Sequence, residues 1–247
     1  MMKTQHLLLP FALLGMPTAA IPAASCWGYS GESAPENWSK LDPAFAACEK
    51  GVYQSPINIR NAIKGKLPPL SLSFTAKKNA LVHNGHTLQI NVADGDKLRL
   101  DNQDFTLQQC HFHMPSENLI DGKSYPLEAH FVYRNDQNQL AVVGVMFVKG
   151  EANTAIAYLL RNLPRQINVA VPLTAAFSLA SLLPKNKSYY RFSGSLTTPP
   201  CTEGVRWLIL RQPVELSAAQ INAFSAALGI RNNRPVHPLH GRMVVTE

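Results

Sequence analysis

Beyond its N-terminus the 247-residue chain has no apolar run of membrane-spanning length; the longest, LAVVGVMFV at 140–148, is only as long as a strand. That excludes a bundle of membrane helices, and 46% hydrophobic against 16% charged residues reads as a globular protein. No repeat, low-complexity tract or Gly/Ser linker interrupts the sequence, which favours a single domain over a solenoid or an array. Cysteines number only four and none stands in C-x-x-C spacing, so a zinc knuckle or dithiol redox motif is excluded, while three complete pairings stay open. The formal net charge is +7, yet the basic residues are scattered and no basic stripe interleaved with aromatics occurs. Nucleic acid is therefore not an expected partner, and a solvated basic surface explains the charge.

What is present begins with a segment unlike the rest. Lys3 leads into LLLPFALLGM and then PTAAIPAAS, the layout of a secretory signal, so residues 1–25 are set aside from the fold. Their removal deletes one Lys and no acid, taking the charge from +7 to +6. Export to the periplasm is expected, with a secreted form as an alternative. PAASC, ending at Cys26, is also a weak lipoprotein acceptor pattern, so a membrane partner enters only if Cys26 is lipidated. An oxidising compartment allows the cysteines to form disulfides.

The mature part, residues 26–247, alternates short strand patterns with turn signals. HTLQINV, KLRLDN, FTLQQCHFH, LEAHFVY, LAVVGVMFV, SYYRFSG and VRWLILRQ mix β-branched, aromatic and alternating residues. Helical patterns are fewer, the best being 154–163 and 217–228 with Ser217 as N-cap. The expected fold is a β-dominated α+β single domain: a central twisted, mostly antiparallel β-sheet with peripheral short helices.

One stretch carries chemistry. In QQCHFHMPSEN (108–118), side chains two apart on a strand share a face, so His111 and His113 project together about 7 Å apart along the backbone. Gln109 shares that face; Cys110 and Phe112 point the other way, into packing. In LEAHFVY, Glu128, His130 and Val132 share one face, and an antiparallel return puts His130 opposite the first pair. Three imidazoles without a fourth protein ligand make an open, catalytic type of zinc site. Gln109 and Glu128 each stand two residues from a histidine, as partners for its second ring nitrogen would. A lone H-x-H is more often two strand histidines; the in-phase third one and the matched partners change the balance.

These residues resemble the α-class carbonic anhydrases, particularly their secreted bacterial members. The likeness runs from CWGYSG (26–31) through QSPINI (54–59), NGHT (84–87), HFHMPSEN (111–118), DGKSYPLEAHFVY (121–133), LAVVGVMF (140–147) and YYRFSGSLTTPPCTEGVRW (189–207) to NNRPVHPLHGR (232–242). The resemblance implies reversible hydration of carbon dioxide to bicarbonate by a zinc-bound hydroxide. Zn2+ would be held by His111, His113 and His130, with Gln109 and Glu128 orienting the imidazoles. Thr197 would accept a hydrogen bond from the hydroxide and donate its own to Glu117, which as an ionised carboxylate only accepts. His86 matches the family's proton shuttle. Val132, Val142, Leu196, Val205 and Trp207 would line an apolar pocket for carbon dioxide, and Thr198 would contact bicarbonate. Read alone, those five apolar residues are ordinary core.

The same resemblance implies inhibition by small anions and sulfonamides, a side activity on esters, and a disulfide between Cys48 and Cys201. That bridge would fasten the N-terminal region to the Thr197 loop, leaving Cys110 a buried free thiol. The sequence does not set the oligomeric state; a homodimer is one allowed assembly. His83, His237 and His240 have no catalytic match and are expected to be structural or surface groups, with a place in the proton relay as the alternative for His83. Phe192 stands where a tyrosine is usual.

Overall fold

The computed structural model describes residues 27–75, 78–93, 95–174 and 177–247. The signal-like segment 1–25 and Cys26 lie outside the described residues. Eight strands form the body of the sheet: β1 (Asn79–His83), β2 (Leu88–Val92), β3 (Lys97–Leu100), β4 (Gln103–His113), β5 (Leu127–Arg134), β6 (Leu140–Lys149), β7 (Tyr189–Ser195) and β8 (Glu203–Leu210). Across the sheet the path runs β1, β2, β4, β5, β6, β8, β7, with β3 paired beside β2 on β4. Among the described residues five further short strands bring this sheet to 13, three of them extending its ends and two pairing off the main path. Neighbours are antiparallel except at a few places, chiefly β6 with β8. That parallel pair needs a long crossover, and the chain between Lys149 and Glu203 supplies one.

Alternation along the strands divides the sheet into two chemically different faces. Cys110, Phe112, Ala129, Phe131, Val143, Val145 and Leu208 join the main core on one side. Residues of the opposite parity, Val142, Met146, Trp207 and Ile209, belong to a second and smaller apolar cluster. Phe192 joins that cluster and stacks on Trp207 with centroids 6.0 Å apart, so the residue expected to be a tyrosine serves as packing. The second face carries His111, His113 and His130. Cys110 is a free, buried thiol as expected.

Two helices cover the main core. α1 (Thr154–Arg161) starts where Asn153 Oδ1 accepts the amide of Ile156 at 3.0 Å, and it buries Ala155, Ile156 and Leu159. α2 (Ala218–Leu228) has the expected Ser217 cap, a full capping box with Gln220, and Gly229 at φ 68° as its left-handed stop. Its Phe224 meets Phe112 edge-on at 5.1 Å, bracing β4 from behind the histidines. A third cluster, around Trp38, Cys48 and Cys201, closes the N-terminal end.

Candidate active site

The register of the second face brings the sequence-predicted residues together in rows. His111 on β4 lies opposite His130 on β5, which lies opposite Gly144 on β6. The row on one side holds Gln109, Val132, Val142 and Trp207; the row on the other holds His113 and Glu128. Gly144 leaves room here, because a Cβ would press on the terminal methyl of Ile209 and come 3.3 Å from Glu128 Oε1.

Each imidazole has one nitrogen occupied and one free. His111 Nδ1 pairs with Gln109 Oε1 at 2.8 Å, and His130 Nε2 with Glu128 Oε1 at 2.8 Å. His113 Nδ1 lies 2.7 Å from the backbone oxygen of Asn232. One ring nitrogen from each of the three lies within 4.8 Å of the others, a group that could hold a metal ion. His113 Nε2 is buried without a hydrogen-bond partner, although Glu117 Oε2 stands 3.4 Å away. A buried nitrogen left in this state is costly unless something else satisfies it, so the donor set fits a divalent ion of zinc's preferences.

Electrostatics agree with the geometry. Burial first, then their mutual repulsion, holds His111 well below the ordinary imidazole range; burial does the same to His130, and lowers His113 against the pull of the Asn232 carbonyl. The rings are neutral and ready to ligate. Glu128 is fully buried and accepts from the amides of Glu117 and Asn118 and from Asn118 Nδ2, at 2.8 to 2.9 Å, so its carboxylate is fixed before it meets His130.

Glu117 is also buried, and its Oε1 accepts the amide of Arg234 at 2.9 Å. Burial drives this carboxyl well up, while the Thr197 hydroxyl and the Arg234 amide pull it down. The hydroxyl approaches without a well-formed bond, since Oε2 has no partner of good geometry. Thr197 sits on the loop between β7 and β8 with Leu196, Thr198 and Cys201. That loop is closed on itself by Leu196 N to Thr202 O and Cys201 N to Thr198 O, both 2.9 Å. Cys201 is bonded to Cys48, with Cα atoms 5.0 Å apart.

Val142, Val205 and Trp207 are buried in one apolar cluster, with Val132 and Leu196 packed against it. The ring of Trp207 meets His130 edge-on at 4.9 Å, so this wall borders the histidines. His86 stacks on Trp27 with centroids 3.9 Å apart, in a cleft of about 590 Å³ shared with Tyr29, Gly85 and Arg231. His83 ends β1, where its Nδ1 accepts the Gly85 amide at 3.1 Å. It braces the turn that carries His86. His237 lines a separate cavity beside Glu49 and Arg234, away from the three histidines.

Sequence reasoning missed Asn232. Besides its carbonyl on His113, its side chain donates to the backbone oxygens of His86 and Phe112 and accepts the amide of Met114. A backbone oxygen more than a hundred positions away leaves no signal in residue type; only the NNRPVHPLHGR likeness marked the segment. Trp27 as the platform of His86 was missed as well.

Known proteins place this geometry. The model of the family described as eukaryotic-type carbonic anhydrase matches residues 33–247. A carbonic anhydrase of Pectobacterium carotovorum is 50% identical over 89% of this chain and 90% of its own length. One from Klebsiella pneumoniae is 44% identical over 95% of each chain. The α-carbonic anhydrase of Thermovibrio ammonificans, solved in complex with the inhibitor sulfanilamide, superposes with a TM-score of 0.87 at 42% identity, covering 90% of this chain and all of that one. With that family match over residues 33–247 and relatives 44 to 50% identical along most of their length, the chain belongs to the eukaryotic-type carbonic anhydrase family.

Proposed function

We propose that this chain catalyses the reversible hydration of carbon dioxide to bicarbonate and a proton, with zinc on His111, His113 and His130. The observation that supports this reading most is the trio itself: neutral imidazoles with their outer nitrogens occupied, and their inner nitrogens converging beside an apolar wall. Zinc bound there supplies a Lewis acid that makes water a nucleophile near neutral pH, its pKa brought to about 7, a general figure for which carbonic anhydrase is itself the standard example.

The remaining roles belong to the protein. Gln109, Glu128 and the Asn232 carbonyl fix the ring orientations and the tautomers. Thr197, backed by Glu117, directs the lone pairs of the attacking oxygen by accepting its proton in a hydrogen bond. A divalent ion held by the three histidines would favour the ionised form of Glu117 against the effect of burial. Val132, Val142, Leu196, Val205 and Trp207 hold an uncharged substrate without competing for the nucleophile, and Thr198 contacts the anionic product. The same subsite accepts small anions and sulfonamides. Export to the periplasm fits the signal-like residues 1–25 and the Cys48–Cys201 bridge. Stopped-flow hydration before and after chelation tests the reading, which fails if activity is indifferent to stripping of the metal.

His86 removes the proton. Burial first, and His83 second, place its pKa below the ordinary imidazole value of 6.5. The neutral ring is the proton acceptor, so kcat rises as pH climbs through that lowered pKa, with a midpoint under 6.5. Proton transfer follows product release, so it enters kcat and not kcat/KM. His86→Ala is expected to lower kcat about a hundredfold in weak buffer, to spare kcat/KM, and to be rescued by added imidazole. Unchanged turnover without rescue removes His86 from the reaction.

A further inference from the structure

Arg234 is a buried guanidinium, 2% exposed, that no step above uses. Its Nη1 donates to Ser55 O at 2.8 Å and to Gln54 Oε1 at 2.9 Å, and its Nη2 donates to Cys48 O at 2.7 Å. The indole of Trp38 lies under it, 5.5 Å from ring centroid to guanidinium carbon. Burial lowers its pKa to about 10, with Glu117 and Tyr29 opposing, so it is charged at neutral pH. A planar fork held by three acceptors and a ring face has little freedom. The backbone from which it grows is fixed with it, and that backbone's N–H is the donor to Glu117 Oε1 at 2.9 Å.

The other end of the clamp is Cys48. Its carbonyl holds Arg234, and its sulfur holds Cys201, four residues beyond Thr197. Glu117 and the Thr197 loop thus hang from one short helix, Ala47–Lys50. We infer that Arg234 is a positioning residue for hydration: its guanidinium, locked on the Cys48 segment, fixes the amide that sets Glu117 against Thr197. The kinetic consequence rests on the hydration reading; the anchoring of the amide does not.

The test uses Arg234→Lys and Arg234→Gln in the full mature chain. An ammonium or a shorter amide cannot span Cys48 O, Ser55 O and Gln54 together. The expected result is retained zinc and a kcat/KM lowered about tenfold, the scale of one charge-assisted hydrogen bond. Loss in kcat is smaller, the reverse of His86→Ala. In the metal-free protein the amide proton of residue 234 should move upfield as its carboxylate partner slips away. If Arg234 merely aids folding, kcat and kcat/KM fall in proportion to the inactive fraction and the amide of the folded protein does not move; that outcome overturns the inference. Wild type without hydration activity would instead sink the functional reading, leaving the amide shift to judge the anchor. Should neither variant fold, the wild-type amide decides: exchange as slow as in β4 and β5 supports the clamp, and rapid exchange rejects it.

Discussion

Replacing His130 by alanine is expected to weaken zinc binding by about two orders of magnitude and to bring hydration down to the uncatalysed background. Apparent zinc-binding energies of roughly 10 to 16 kcal/mol for a full ligand set make one imidazole worth about 3 kcal/mol. His130 is the most telling of the three, because it comes alone from β5 and borders both the other imidazoles and the Trp207 wall. Its ring lies 4.6 Å from that of His113 and 5.3 Å from that of His111, with Trp207 on a further side. The lost ring also leaves Glu128 facing a gap, but three N–H donors still hold that carboxylate, so the fold persists. Metal content after dialysis and stopped-flow hydration measure the effect. A His130→Ala protein that keeps zinc at the wild-type level and hydrates carbon dioxide at the wild-type rate would remove the trio from the chemistry.

Breaking the Cys48–Cys201 bond is expected to cost about 5 kcal/mol in the chain-entropy model, an upper figure because that model often overshoots. The bridge closes a separation of 153 residues, and native domains hold only about 5 to 15 kcal/mol in total. Cys201→Ser should therefore lower the urea midpoint substantially, with a steeper slope because the denatured chain loses a cross-link and exposes more surface. It should also reduce activity in the fraction that remains folded, since Cys201 anchors the loop carrying Thr197 and Cys48 anchors Arg234. A midpoint shift worth less than about 1 kcal/mol would show that packing around Trp38 already holds the loop without the bond.

The sequence and the structure agree best where chemistry coincides with local periodicity. His111 and His113, two apart, can be read as one face of a strand, and the turn-rich segment 119–126 announces a returning strand that brings His130 back. Gln109 and Glu128 follow from the same period of two. Cys110 and Phe112 fall on the opposite face for the same reason, and they are core. Contacts that join distant segments through backbone atoms were not legible. The Asn232 carbonyl on His113 and the Arg234 amide on Glu117 belong to groups that every residue carries. Likewise the strand β1 (NALVH) lacks strong alternation, and the parallel pairing of β6 with β8 depends on a crossover that no local pattern encodes. The helix expected over 154–163 stops at Arg161, where the Asn162 side chain donates to the carbonyl of Tyr158 and ends the turn.

Zinc content and carbon dioxide hydration measured together, across a series of samples reconstituted with increasing metal, test the central claim most directly. The three-imidazole site predicts activity rising in proportion to bound zinc and reaching its plateau at about one ion per chain, as a single open site requires. Hydration that does not track zinc, or a fully loaded protein that hydrates no faster than buffer, would contradict it.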